Sequence, residues 1–204
     1  MTEEGEIDRE HSERMRKVQA EHRAKMKEKR KADAGLLAVL TGAGKGKSTS
    51  ALGIIVRAIG WGHNVAMIQF IKGTWKTGEK QFFARFSDLV TVRTMGEGFT
   101  WDTQDRQRDI AAAEAAWAQS IEFLSSGEFD LVVLDELNIV LGHGYLDLDH
   151  VLRGLGARHS RTTAVVTGRG AKQALIDAAD LVTEMTNVKH PFDAGIRAAK
   201  GFDF

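Results

Sequence analysis

Cysteine is absent from the sequence. That excludes disulfides and thiolate metal sites, and it fits a reducing cytoplasm. No apolar run is long enough to span a bilayer, and the N-terminus is too polar for a signal peptide. A soluble cytoplasmic protein with no membrane partner is therefore expected. The seven histidines form no i, i+4 pair and no His-Glu-x-x-His, which removes the usual ground for a zinc site. No serine occupies a Gly-x-Ser-x-Gly elbow, so serine-hydrolase chemistry has no support. Net charge is missing too. The 28 basic residues balance 28 acidic ones, which argues neither for nor against nucleic acid. There is one proline and no internal repeat.

What is present suits one domain with a sizeable core in 204 residues, preceded by a charged arm. The division expected is an arm over 1–34 and a domain over 35–204. The arm has no aromatic residue; it is mostly acidic over its first thirteen positions and strongly basic from Arg14 to Lys31. Met15, Val18, His22 and Met26 fall near helical spacing, which suits a lone amphipathic helix. Three readings stay open: a solvated disordered segment, a lid that folds over a ligand, and a nucleic-acid contact. The last is weakened because no aromatics interleave with the basic residues to stack on bases.

The domain is organised around Thr41-Gly42-Ala43-Gly44-Lys45-Gly46-Lys47-Ser48-Thr49. Leu36 to Leu40 before it reads as a buried strand, and Ser50 to Ile59 after it reads as a helix. Strand, glycine-rich turn, Lys-Ser and helix are the grammar of a phosphate-binding P-loop. The glycines let several backbone N–H groups face one anion, and the helix start adds its positive end. Lys47 can reach phosphate oxygens, and the Ser48 hydroxyl can hold Mg²⁺. The match departs from the usual pattern at its first position, where Thr41 stands for glycine, and the loop carries an extra cation in Lys45.

A second strong signal is Phe129 to Glu136, an apolar run of β-formers that ends in Asp135-Glu136. Downstream of a P-loop, this is the position where an acid holds Mg²⁺ directly or through water. Further strands are expected at Asn64–Phe70, Val90–Met95, Thr162–Thr167 and Leu181–Met185. Helices are expected at Gln81–Phe86, Thr103–Ser125, Leu137–Tyr145, Leu148–Leu155 and Lys172–Ala179. Ile110, Ala113, Trp117, Ile121 and Leu124 form the core stripe of the long helix. Lys72, Trp75 and Lys76 lie in a loop after the second strand, at the edge where open α/β sheets bind ligands. Trp75 is either a ligand platform or a local packing residue. Gly96 to Trp101 carries Phe99 and Trp101 between glycines, either as a clip onto the core or as an apolar wall for a large ring-shaped ligand. Gly168-Arg169-Gly170 is a tight turn whose cation is a phosphate contact or a plain surface residue.

Alternating strands and helices with a P-loop on the first strand predict an α/β P-loop NTPase fold, RecA-like, with a mostly parallel central sheet covered by helices on both faces. The chemistry falls at one sheet edge and implies Mg-ATP plus a second, partly apolar ligand. Attack at the γ-phosphorus, as in a kinase or ATPase, is the ordinary outcome of such a cradle. Yet no residue after the second strand stands out as a base. A RecA-like nucleotide hydrolase or nucleic-acid module using the basic arm is the other class to weigh.

Six motifs in order decide between these classes. They are the P-loop, Gln69-Phe70-Ile71-Lys72-Gly73, Gly96 to Trp101, Leu134-Asp135-Glu136-Leu137-Asn138, Thr167-Gly168-Arg169-Gly170 and Val188 to Ile196. Together they resemble the ATP:corrinoid adenosyltransferases of cobalamin biosynthesis and salvage, over about Lys31 to Phe204. The resemblance implies that Co(I) of a corrinoid attacks the 5′ carbon of ATP and releases triphosphate. It also implies that ATP lies reversed in the P-loop, which would rationalise the departure at Thr41. Carried over by motif, Thr41, Gly42, Ala43, Gly44, Lys45, Gly46, Lys47, Ser48, Thr49 and Arg169 bind ATP. Ser48, Asp135 and Glu136 hold Mg²⁺, with Mn²⁺ as an alternative. Phe99, Trp101 and Trp75 line the corrinoid side, and no residue acts as an acid or base. The resemblance further implies a homodimer, an electron donor such as a flavodoxin or flavin reductase, no nucleic-acid partner, and a lid role for the arm.

Overall fold

The computed structural model describes residues 3–28, 34–71, 77–94 and 105–203. The chain forms two compact units, Met1–Asp33 and Ala34–Phe204. The described residues of the first unit form one helix, α1 (Glu3–Glu28). Every side chain described along it is exposed, including Met15, Val18, His22 and Met26.

The second unit is a six-stranded sheet with helices on its faces. The strands are β1 (Leu37–Thr41), β2 (Val65–Gln69), β3 (Val90–Thr94), β4 (Leu131–Asp135), β5 (Thr163–Thr167) and β6 (Leu181–Glu184). Their order is β3-β2-β4-β5-β1-β6, and every pairing is parallel. A strand, β5, therefore stands between the P-loop strand and the acidic strand, the RecA-like arrangement. The helices are α2 (Lys47–Gly60), α3 (Gly78–Phe83), α4 (Arg106–Ser125), α5 (Leu137–Gly142), α6 (Leu148–Gly156) and α7 (Gln173–Ala178).

Period-two alternation sorts the core onto both faces. Leu37, Val39, Ala66, Ile68, Val132, Leu134, Ala164 and Val166 face one side, where they meet Ala113, Trp117 and Leu124 of α4, Leu137 of α5, Leu155 of α6 and Leu175 of α7. Ala38, Leu40, Val65, Met67, Leu131, Val133 and Val165 face the other, against Ala51, Ile55 and Ala58 of α2 and Phe83 of α3. Strands buried on both faces read as continuous apolar runs, which is why β4 and β5 stand out in the sequence. The edge strand β6 differs, since all four of its residues are exposed.

Helix α2 begins at Lys47 rather than Ser50, because Lys47, Ser48 and Thr49 form its first turn. Within the motif Val188 to Ile196, Pro191–Ala194 is a 3-10 turn, and His190 accepts a hydrogen bond from the Phe192 N–H at 3.1 Å.

Candidate active site

Strand β1 ends at Thr41, and the chain curls through Gly42 to Gly46 before entering α2. The helix start is left open. Its N-cap is Gly46 at φ 110°, with no side-chain cap and no acid in the first turn. By contrast, Asp105 caps α4 by accepting from the Gln107 and Arg108 N–H groups, and Asp147 caps α6 by accepting from the His150 N–H at 2.7 Å. The uncapped N–H groups of α2 remain available to an anion.

The loop is braced from outside. The Gly44 N–H donates to the Met185 carbonyl at 2.7 Å, and the Met185 N–H donates to the Thr41 carbonyl at 2.8 Å. A side chain at Gly42 or Gly44 would put its Cβ 2.3 Å from Met185 O or 2.5 Å from Thr186 O. Glycine is therefore required by the neighbouring backbone as well as by any phosphate. The Thr41 hydroxyl accepts from the Ala171 N–H at 3.1 Å. A glycine there could not tie the loop to the turn after β5.

Lys47 is buried. Its Nζ donates to the carbonyls of Gly42 at 2.8 Å and Gly44 at 2.6 Å, so the ammonium bridges the loop from within. Burial first, then the Arg169 charge, lower its pKa; Glu136 opposes them.

At the tip of β4 two adjacent carboxylates are held differently. Asp135 Oδ1 accepts from Ser48 Oγ at 3.0 Å and from Thr167 Oγ1 at 2.7 Å. Its Oδ2 accepts from Gln69 Nε2 at 3.4 Å, and Gln69 Oε1 accepts from Thr94 Oγ1 at 3.2 Å. Glu136 has φ 64° and is the one non-glycine residue with positive φ among those described, a conformation that costs about 1–3 kcal/mol. Its N–H donates to Thr167 Oγ1 at 3.0 Å, while its buried Oε2 has no hydrogen-bond partner. Burial, then the Asp135 charge, push the Glu136 carboxyl up to about 7.

These groups fit a hard divalent cation. An orphaned buried carboxylate oxygen, a neighbouring carboxylate and the Ser48 hydroxyl are all oxygen donors, the set that Mg²⁺ takes together with phosphate and water. Among the described residues there is no cluster of three or more His, Cys, Asp or Glu that could form an all-protein cage, so such an ion would rely on phosphate oxygens.

The turn after β5 closes the site. Gly168 has φ 124°, and a Cβ there would lie 2.9 Å from Asn138 Cβ and 3.2 Å from Glu136 Oε2. Asn138 Nδ2 donates to the Gly168 carbonyl at 3.1 Å, which fixes the turn that presents Arg169. Gly44 to Thr49, Glu136, Arg169, Phe202 and Asp203 line one cleft of about 220 Å³. That is below the ~300–1,000 Å³ of a pocket enclosing a whole drug-sized ligand, and it suits a phosphate chain.

The structure thus brings together Gly44, Lys45, Gly46, Lys47, Ser48, Thr49, Glu136 and Arg169, with Asp135 hydrogen-bonded behind them. Thr41 and Gly42 brace the loop rather than line the cleft. Lys72, Trp75, Lys76, Phe99 and Trp101 lie outside the described residues. Gln69, Asn138 and Thr167 stand in the sequence motifs without an assigned role, and Asp203 stands in none. Thr167 had a signal, as a hydroxyl at a strand end directly before Gly168. Asp203 had none.

Residues 33–204 match the family described as ATP:corrinoid adenosyltransferase BtuR/CobO/CobP. The chain belongs to that family. A corrinoid adenosyltransferase of Pseudomonas aeruginosa is 53% identical over 204 residues, covering 100% of both chains. Another, CobA of Salmonella typhimurium, is 44% identical over 170 residues, 83% of this chain and 86% of that one. Corrinoid adenosyltransferase activity, a transferase reaction, follows from that membership. That activity takes the place of the kinase and ATPase alternatives.

Proposed function

We propose that the enzyme transfers the 5′-deoxyadenosyl group of ATP to Co(I) of a corrinoid such as cob(I)yrinic acid a,c-diamide, cobinamide or cobalamin, releasing triphosphate in adenosylcobalamin biosynthesis or salvage. The Co(I) electron pair attacks C5′ and the C5′–O bond breaks. Its electrons leave on the triphosphate, and cobalt is oxidised to the Co(III) level as the Co–C bond forms. No proton moves in this step, so no general base is needed. The protein's tasks are positioning and charge stabilisation.

One observation carries the reading. Loop, open helix start, Lys47, Glu136 and Arg169 converge on one cleft of phosphate-chain size. The loop N–H groups, Lys47 and Arg169 would bind the leaving triphosphate, with Lys45 at the lip. Ser48, Asp135 and Glu136 would hold Mg²⁺, or Mn²⁺ in its place. When bound, the ion neutralises charge on the phosphate oxygens. Asp135 would also orient the Ser48 and Thr167 hydroxyls, which donate to it. Trp75, Phe99 and Trp101 would face the corrin. The arm over 1–34 would be a lid on the corrinoid, a role to which the exposed apolar side chains of α1 are suited. A homodimer in the cytoplasm, served by a flavodoxin or flavin reductase, completes the proposal. No described helix is long and apolar enough to cross a membrane.

The test is anaerobic incubation of the protein with Mg-ATP and chemically reduced corrinoid. Loss of the Co(I) spectrum, a light-sensitive Co–C product and one triphosphate per corrinoid are expected. ADP or orthophosphate with unchanged corrinoid would overturn the reading.

A further inference from the structure

Lys45 is the extra cation of the loop, and it is not left to solvent. Its Nζ pairs with Asp203 Oδ1 at 2.5 Å. The second carboxylate oxygen, Oδ2, accepts from the Ala199 N–H at 2.8 Å. The Asp203 N–H donates to the Ala199 carbonyl at 2.8 Å, and the Phe202 N–H donates to the same carbonyl at 3.2 Å. The acid is therefore presented by a closed turn rather than by a loose chain end. Both partners of the pair line the cleft, beside Lys47, Glu136 and Arg169.

This arrangement puts a fixed anion where a phosphate chain would meet the loop. Lys45, Lys47 and Arg169 supply positive charge at the cleft, against which Asp203 sets a carboxylate at the lip and Glu136 a second, partly protonated one near neutral pH. An incoming polyanion meets repulsion from Asp203 and finds Lys45 already engaged. Little burial holds the turn in place, since Phe202 is 78% exposed. Its withdrawal costs mainly the ion pair, and such pairs at partly exposed sites are weak.

We propose that Asp203 is a built-in competitor of the phosphate chain: it holds Lys45 in the ligand-free enzyme, yields it when phosphates enter, and reclaims it as triphosphate leaves. The C-terminal turn thereby eases release of a product whose charge would otherwise hold it in the cradle. This rests on reading the cleft as the triphosphate cradle.

The test is calorimetric binding of inorganic triphosphate and of Mg-ATP to the full-length protein, its Asp203→Asn and Lys45→Ala variants, and the double variant. Asp203→Asn is expected to tighten triphosphate about fivefold, the equivalent of one weak ion pair. The gain should shrink with added salt and disappear in the Lys45→Ala background. Equal or weaker binding by Asp203→Asn, with the native protein binding well, would overturn this proposal alone. Binding of neither ligand to any of the four proteins would overturn the cradle reading, and this proposal with it.

Discussion

The two walls of the cleft are built on different principles. The inner wall, Gly44, Gly46, Lys47, Ser48 and Glu136 with Asp135 and Thr167 behind them, is fixed by buried and part-buried hydrogen bonds, among them Lys47 to two loop carbonyls and Asp135 to two hydroxyls. The outer wall, Lys45 with Phe202 and Asp203, is held by one ion pair and a short turn. Fixed donors suit the part of a site that must stabilise charge without reorganising. A weakly held pair suits the part that must open. The inner wall also contains the strained residue Glu136, whose buried Oε2, like the Oδ1 of Asn138, has no hydrogen-bond partner and so is left to accept a cation.

The comparison breaks most visibly at the two lysines. Lys47→Ala should lower kcat/KM by about a hundredfold or more, the scale of losing one preorganised charged donor. Lys45→Ala should cost about tenfold or less. Steady-state kinetics on both variants, with circular dichroism to establish folding, checks this, and similar losses would erase the distinction.

Two glycines sharpen it next. Gly44→Ala forces a Cβ against the Thr186 carbonyl and should destabilise the protein by about 1–3 kcal/mol. Gly53→Ala, within α2 and with nothing within 4 Å of its Cβ, should stabilise it by about 0.5–1 kcal/mol. Denaturant midpoints decide the pair.

A pH effect belongs to Glu136. Its carboxyl titrates near 7 against an ordinary 4.5, so between these values the folded protein binds more protons than the unfolded chain. Stability from this group is full below about 4.5 and is lost as pH rises through about 7. Melting temperatures across that range should fall in the metal-free protein. They should fall less in Glu136→Gln or with Mg²⁺ added. An identical pH slope in Glu136→Gln would remove Glu136 as the cause. Among the effects on activity or binding, that of Asp203→Asn on triphosphate, about fivefold, is expected to be modest.

Much of the inner wall was legible in the sequence. A glycine-rich turn before Lys47-Ser48 and an apolar run ending in Asp135-Glu136 are local signals, and burial on both sheet faces makes the parallel strands into apolar runs. The tertiary ties were not legible. That the Thr41 hydroxyl meets Ala171 depends on β5 pairing on one side of β1, and that Gly42 must admit the backbone of Met185 depends on β6 pairing on the other. The Asp203 contact depends on the path of an exposed tail with no periodicity. The sequence pattern starts α2 three residues late, at Ser50, because Lys47 and Ser48 look like loop residues, whereas an open helix start is itself part of the anion site.

The central claim is that the cradle holds triphosphate as a leaving group. The most direct measurement uses ATP carrying oxygen-18 at the bridge between C5′ and the α-phosphorus, with chemically reduced corrinoid under anaerobic conditions. The account predicts that the label departs entirely in triphosphate, in step with the loss of Co(I). Label retained on adenosine, or absent from the released phosphate, would mean a P–O bond had broken and would contradict it.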